Sequence, residues 1–212
     1  MDFEQSNCSC ELLEKNGRCV AGIDSVTGEW KRPIPSAVNS VVPLTPQVLG
    51  LNLLDIADVS FTGNKPVPPD EFQIENEFVA NCNWQQTGTA TIAQVRNYCQ
   101  NTGLILHSSN DYVDPAVMAA IPSNQWKSLQ LIEVRTTFTA NKYQRNRWRG
   151  QFDDSLGDHL DLSVTDPVAT NTLNQGVSLD GLHILCVSLG QAFAYANSTR
   201  PAYCYKFIAG VI

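Results

Sequence analysis

Between Lys127 and Arg149 the sequence carries six basic residues, Lys127, Arg135, Lys142, Arg145, Arg147 and Arg149, against one acidic residue, Glu133. Phe138, Tyr143 and Trp148 are interleaved with them. Cations that track phosphates and flat rings that stack bases are what a single-strand binder needs, each stacked base contributing ~1–3 kcal/mol. On an extended strand Tyr143, Arg145, Arg147 and Arg149 share one face by the two-residue period, and Trp148 lies on the other. The period therefore predicts an arginine ridge on a barrel surface, with Trp148 turned toward the core. Asp153, Asp154, Asp158 and Asp161 follow directly. They could neutralise the ridge through cross-strand pairs, which is the structural alternative to phosphate contact. A smaller candidate is Trp30-Lys31-Arg32, where Trp30 and Arg32 share a face and could stack on each other or on a base. Its alternative is an edge-strand motif that holds the fold.

Enzymatic patterns are poor. The phosphate-binding loop, the dinucleotide fingerprint, the zinc-protease helix and the nucleophile elbow are all missing from the sequence. Asp158-His159-x-Asp161, with Asp153 and Asp154, is the densest set of potential metal ligands, and His159 and Asp161 share a strand face. A nuclease would also want a lysine or carboxylate from another segment, and none is identifiable. Cys8 and Cys10 form a C-x-C pair without a second pair at zinc-finger spacing, so a frayed polar N-terminus is expected there. His107 and His183 sit in apolar runs and read as satisfied core histidines. No catalytic residue, metal or cofactor is expected.

These side chains need elements to position them. Arg18–Asp24 reads as a strand, Val26-Thr27-Gly28 as a turn, and Glu29–Ile34 as the return strand of a hairpin. Pro33 and Pro35 place that return strand at a sheet edge. Leu53–Phe61 is a further strand, Phe72–Val79 is ambiguous, Ala90–Asn101 is helical, and Leu104–His107 is a short strand. Asp114-Pro115 and Asp166-Pro167 each pair an N-cap with proline at the first helical position. Leu131–Phe138, Tyr143–Phe152, His159–Val164, Leu182–Leu189 and Tyr203–Val211 are strands. Many short strands, few capped helices and no alternating βαβ rhythm predict a mainly β protein of small barrels. Two short echoes hint at duplication: Cys19–Ile23 (CVAGI) with Phe207–Val211 (FIAGV), and Glu29–Arg32 (EWKR) with Arg147–Gly150 (RWRG).

The chain of 212 residues suits one large or two small domains, and its 43% hydrophobic content excludes wholesale disorder. A net charge of −7 excludes a protein that coats nucleic acid by bulk attraction. The 127–149 segment is +5 and the remainder −12, so any contact should be confined to one strip. Seven cysteines without a basic-then-apolar leader predict reduced thiols and a soluble, cytoplasmic protein with no membrane partner.

KNGRCVAGIDSVTGEWKRPIP at 15–35 resembles the opening of the bacterial dual OB-fold domain (DuOB) family, a Cys-Val-Ala-Gly strand followed by a Trp-x-Arg-Pro arm. LLDIADVSF at 53–61, QIENEFV at 73–79, RWRGQF and LDLSVTDP within 147–167, and CYKFIAGVI at 204–212 extend the resemblance in order. A single Gly17 stands where the family pattern has a glycine pair. The resemblance implies two tandem OB-like small β-barrels, expected over 1–125 and 126–212. It also implies non-enzymatic recognition of single-stranded or exposed nucleic acid, DNA or RNA, beside bacterial defence or conflict systems. Combined with the charge pattern, the expected nucleic-acid contacts are Arg135, Lys142, Tyr143, Arg145, Arg147 and Arg149, with Trp30, Lys31 and Arg32 as a second set. Alternatives are a protein-interaction adaptor that docks a partner enzyme, and a nucleotide or second-messenger sensor.

Overall fold

The computed structural model describes residues 2–4, 17–18, 20–34, 42–43, 50–66, 72–81, 83–140, 147–194 and 201–212. The chain divides into two units. One comprises Met1–Asp70 with Glu75–Tyr98 and Ile212, and the other Glu71–Ile74 with Cys99–Val211. This division falls earlier than the expected boundary after residue 125. Ile105, Leu106, Val113 and Met118, assigned by sequence to the first half, pack into the core of the second unit.

The first unit contains β1 (Asp2–Glu4), β2 (Gly17–Arg18), β3 (Gly22–Asp24), β4 (Trp30–Ile34), β5 (Val42–Pro43), β6 (Asp55–Asp58), β7 (Asn76–Phe78), β8 (Gln85–Thr89) and a helix α1 (Ile92–Arg96). Strand order in its main sheet is β7-β4-β3-β1-β6-β8, with β4 and β7 parallel. The ring returns from the end of β6 to β7 through the antiparallel bridge Phe61–Val79 and the bonds Thr62 N to Phe78 O (2.8 Å) and Ala80 N to Ser60 O (2.8 Å). Val20, Leu51, Ala57, Val59, Val79 and Trp84 fill the interior.

The second unit contains β9 (Tyr112–Val113), α2 (Pro115–Ala120), β10 (Leu129–Ala140), β11 (Trp148–Asp153), β12 (His159–Val164), α3 (Pro167–Asn174), β13 (Gly181–Phe193) and β14 (Tyr203–Val211). Its order is β12-β11-β10-β13-β14, closed by a parallel pairing of β12 with β14. Taking β1, β3, β4, β6 and β7 in one unit and β10 to β14 in the other, both run 1-2-3-5-4-1 with strands three and five parallel. This is the five-stranded Greek-key ring of an OB barrel. The molecule is thus mainly β with a few short helices, as the sequence predicts.

Two residues fix the second barrel's geometry. Gly150 lies where a Cβ would stand 2.4 Å from Ile208 Cδ1, so a side chain there would force Ile208 to repack. Asp166 caps α3 by accepting from Val168 N (2.8 Å) and Ala169 N (3.1 Å), and its second oxygen accepts from Val211 N (2.9 Å) at the end of β14. Burial pushes its carboxyl above the usual range, against those three bonds.

Several local expectations change. Leu104–His107 is not a strand but a 3₁₀ turn, with Leu106 (φ 45°) and His107 (φ 70°) left-handed. The anchor is distant, because Leu106 N donates to the Gln130 side chain (2.9 Å). β4 is not an edge strand but runs between β3 and β7. Pro33 is tolerated because the parallel bonds to β7 use Arg32 N and Ile34 O, and the registered pairs with β3 end at Lys31. Asp2–Glu4 pairs on both sides, with β3 and β6, and Cys8 and Cys10, where a frayed terminus is expected, lie outside the described residues. Cys186 is disulfide-bonded, against the expectation of reduced thiols. Among the described residues no helix is long and apolar enough to cross a membrane.

Candidate nucleic-acid interface

In an OB barrel, the outer face of strands two and three, with the loops between strands one and two and between four and five, is where oligonucleotides bind. Here those strands are β11 and β12, and the loops are the connections 141–147 and 194–202. The first connection leaves and returns at the paired residues Ala140 and Trp148. The second enters β14, which runs parallel to β12, so the two connections belong to opposite ends of the face. Of the six basic residues of 127–149, Lys142, Arg145 and Arg147 fall in sequence between β10 and β11.

On β11 the alternation is as the period predicts. Gly150 and Phe152 are buried, facing Leu162 and Leu160 across the pair with β12, while Arg149, Gln151 and Asp153 face outward opposite Ser163, Asp161 and His159. Trp148 is half-buried, packs against the core, and donates its Nε1–H to Asn174 Oδ1 (2.8 Å). Arg135 is exposed on β10, and Arg147 is exposed immediately before β11. Lys142, Tyr143 and Arg145 lie outside the described residues.

Arg149 is different from its neighbours. Its Nε donates to Asp161 Oδ1 (2.7 Å), Nη1 to Ser163 Oγ (3.1 Å) and Nη2 to the Asp161 carbonyl, and Asp111 Oδ2 is 3.6 Å from Nη2. Charge neutralisation by the following carboxylates thus occurs at this one ridge position. His159 Nδ1 sits 2.8 Å from Asp153 Oδ1, both side chains exposed. Asp154 is buried and caps the β11–β12 turn, accepting from Leu156 N (2.8 Å) and Asp158 N (3.0 Å). The acidic cluster is dispersed over separate roles, and among the described residues no group of three His, Cys, Asp or Glu could hold a metal.

A cleft of about 460 Å³ opens on this face, lined by Arg149, His159, Asp161 and Ser163 from the barrel and by Asp111, Tyr112, Tyr205 and Phe207 beside them. β9 places Tyr112 there by pairing with the first half of β14, and Asp111 Oδ1 accepts from Asp161 N (3.0 Å). Tyr112 stacks on Tyr203 with ring centroids 4.3 Å apart and meets Tyr205 edge-on at 6.1 Å. The sequence reading missed these tyrosines. Their signal was present in the alternation Tyr203, Tyr205, Phe207 along β14, but Tyr112 arrives from a two-residue strand no periodicity marks.

Lys206 also lines this cleft. It is 2% exposed, and Nζ donates to Ser108 O (2.6 Å). Burial lowers its ammonium to about 8, with Asp111, Asp154 and Asp158 opposing. His107 Nε2 accepts from Lys127 N (2.9 Å), and burial and the charges of Lys127 and Lys206 hold its pKa low. His183 Nε2 bonds the Leu179 carbonyl.

In the other unit the predicted arm is occupied internally. Arg32 is buried, its Nη2 2.9 Å from Glu75 Oε1, and Lys31 Nζ is 2.7 Å from Glu77 Oε2. Trp30 is half-buried. These contacts match the fold-holding alternative, from an interior strand. The sequence echoes also fall on non-equivalent strands: EWKR on the third strand of its ring but RWRG on the second, CVAGI before the second but FIAGV in the fifth.

A family model described as the dual OB-containing domain matches residues 8–211. No curated protein and no solved structure matches the chain.

Proposed function

The chain belongs to the dual OB-containing domain family, and from that premise we propose that it is a non-enzymatic recognition module for single-stranded or otherwise exposed nucleic acid. The observation that carries this reading is the coincidence of charge and topology. In a protein of net charge −7, the +5 segment 127–149 runs over strand one of an OB ring, the connection after it and the start of strand two. Lys142, Arg145 and Arg147 would hold phosphates there, and Arg135 would extend the strip along β10. Tyr143 and the cleft tyrosines would supply stacking surfaces. Trp30, Lys31 and Arg32 are assigned to holding the first barrel. The setting implied by the family resemblance, a bacterial cytoplasm and a defence or conflict system, belongs to the same proposal.

The test is direct titration of single-stranded DNA and RNA across a salt series. A strand binder must lose affinity steeply as salt rises, with a slope set by the phosphates it contacts. No affinity even at low salt sinks the reading and favours an adaptor that docks a partner protein. The cleft volume gives a second reading some footing, because about 460 Å³ is within the range of small-ligand sites. A nucleotide sensor would be stabilised thermally by a mononucleotide alone.

A further inference from the structure

We propose that the pocket between β10 and the β11–β12 turn binds an aliphatic ammonium ion, with Asp154 receiving the charged end. The pocket lies within the second unit and shares no lining residue with the cleft of Arg149 and Tyr112, so the proposal stands apart from the nucleic-acid reading.

The pocket opens where the strands part. Registered pairing of β10 with β11 ends at Thr137 and Gln151, and β11 then runs into its turn. Further back along β10, Gln100 N donates to Leu131 O (2.7 Å) and Asn101 Oδ1 accepts from Glu133 N (2.8 Å), so residues 100–101 cover the stretch that β11 does not reach. A pocket of about 220 Å³ remains between that segment and the turn. Such a volume is the liquid's share of about seven waters, which suits a short unbranched chain. Ile105, Ile132, Val134 and Leu182 give it aliphatic walls.

Asp154, in the wall of this pocket, has an oxygen to spare. The residue is 8% exposed, and its Oδ1 accepts from Leu156 N and Asp158 N, while Oδ2 has no hydrogen-bond partner among the described residues. A buried carboxylate oxygen without a donor is costly, and a charged donor offsets that cost best. The surrounding charges favour a cation. Glu133 and Asp153 line the pocket with Asp154, and Arg135 is its one basic residue. Lys206 is the other cation that Asp154 feels, but its one ammonium answers Asp111, Asp154 and Asp158 together and bonds Ser108 O. His159 bonds Asp153 and does not line the pocket. Among the described residues no group of three His, Cys, Asp or Glu could hold a metal. A bare ion would also leave the aliphatic walls facing water, whereas an ammonium on a hydrocarbon stem covers them and supplies the missing donor.

The experiment titrates the full chain with n-pentylammonium, and with n-pentanol and pentanoate as its neutral and anionic counterparts, following backbone amide shifts by NMR. Pentylammonium should move the amides of 101–105, 132–135 and 153–155 and bind about tenfold or more tightly than pentanol, the scale of one charge-assisted hydrogen bond. Pentanoate should not bind. Asp154→Asn keeps an acceptor for Leu156 N and Asp158 N but removes the charge, and should abolish the preference for the ammonium over the alcohol. Glu133→Gln should weaken pentylammonium by a smaller factor. Nα-acetyl-lysine methylamide carries the same ammonium on a protein-like stem. Tighter binding than pentylammonium assigns the site to a partner's lysine and weaker binding to a free amine, and either upholds the site. Equal wild-type affinity for pentylammonium and pentanol, or shifts confined to other residues, overturns the proposal. That wild-type comparison decides the matter even if Asp154→Asn fails to fold.

Discussion

Replacing Lys142, Arg145 and Arg147 together by alanine separates phosphate contact from structural pairing. Each single-strand phosphate neutralised contributes about 0.7 to the slope of log K against log salt, so three contacts contribute about 2. Over a fourfold rise in salt this is roughly a 15-fold difference in how far affinity falls. The variant should therefore show a slope shallower by about 2, with an unchanged unfolding midpoint in urea. Arg149→Ala should do the opposite. Its guanidinium is already spent on Asp161, Ser163 and Asp111, so the slope should stay near that of the wild type. Stability should fall by about 1–2 kcal/mol as the charge-assisted bonds are lost. Anisotropy at four or five salt concentrations, alongside urea unfolding of both proteins, measures both quantities. A triple variant that keeps the wild-type slope would refute the loop as the phosphate contact. So would an Arg149→Ala protein that loses slope while retaining full stability.

Arg32→Ala removes the guanidinium 2.9 Å from the buried Glu75 carboxylate and should cost about 3–5 kcal/mol in urea unfolding, with no change in salt slope for material that remains folded. Gly150→Ala drives a methyl into Ile208 Cδ1 and should cost about 1–3 kcal/mol. Ile208→Val removes that Cδ1, so the double variant should be more stable than the sum of the single effects, and strict additivity would contradict the packing described. Lys206 gives a pH signature. Its ammonium is held near 8 in the folded protein but titrates at its ordinary, higher value once unfolded, so between those values the unfolded chain binds more protons and stability rises with pH. Relative to Lys206→Met, the wild type should gain on the order of 2 kcal/mol between pH 8 and 9.5, and a constant difference would refute the buried charge.

Much of the fold was legible because the signals were local. His159–Val164 alternates cleanly, as does 203–208, and Asp114-Pro115 and Asp166-Pro167 announce their helices by cap chemistry. What escaped was set by distant partners. β8 is a polar QQTGT run that pairs with β6, and Leu104–His107 turns because Gln130 captures a backbone N–H. The arm at Trp30–Arg32 misled for the same reason: short-range alternation cannot report that Glu75, just before β7, and Glu77 within it meet its two cations. The site divides similarly. The basic loop follows from composition alone, while the tyrosine cleft depends on β9 meeting β14 some ninety residues later in the chain.

The passage of Glu71–Ile74 into the second unit, before the chain returns to complete the first, makes the two barrels sewn together by the polypeptide and not strung along it. Phe72 sits edge-on to Trp126 with ring centroids 4.8 Å apart. A single cut after Tyr98 would leave Phe72 on the wrong fragment and strip Trp126 of its neighbour. Neither barrel can then be tested as an autonomous fragment by simple truncation, and a half-length piece that fails to bind would say nothing about which barrel holds the ligand. During synthesis the same arrangement obliges Phe72 to wait for Trp126 to emerge before their ring contact can form.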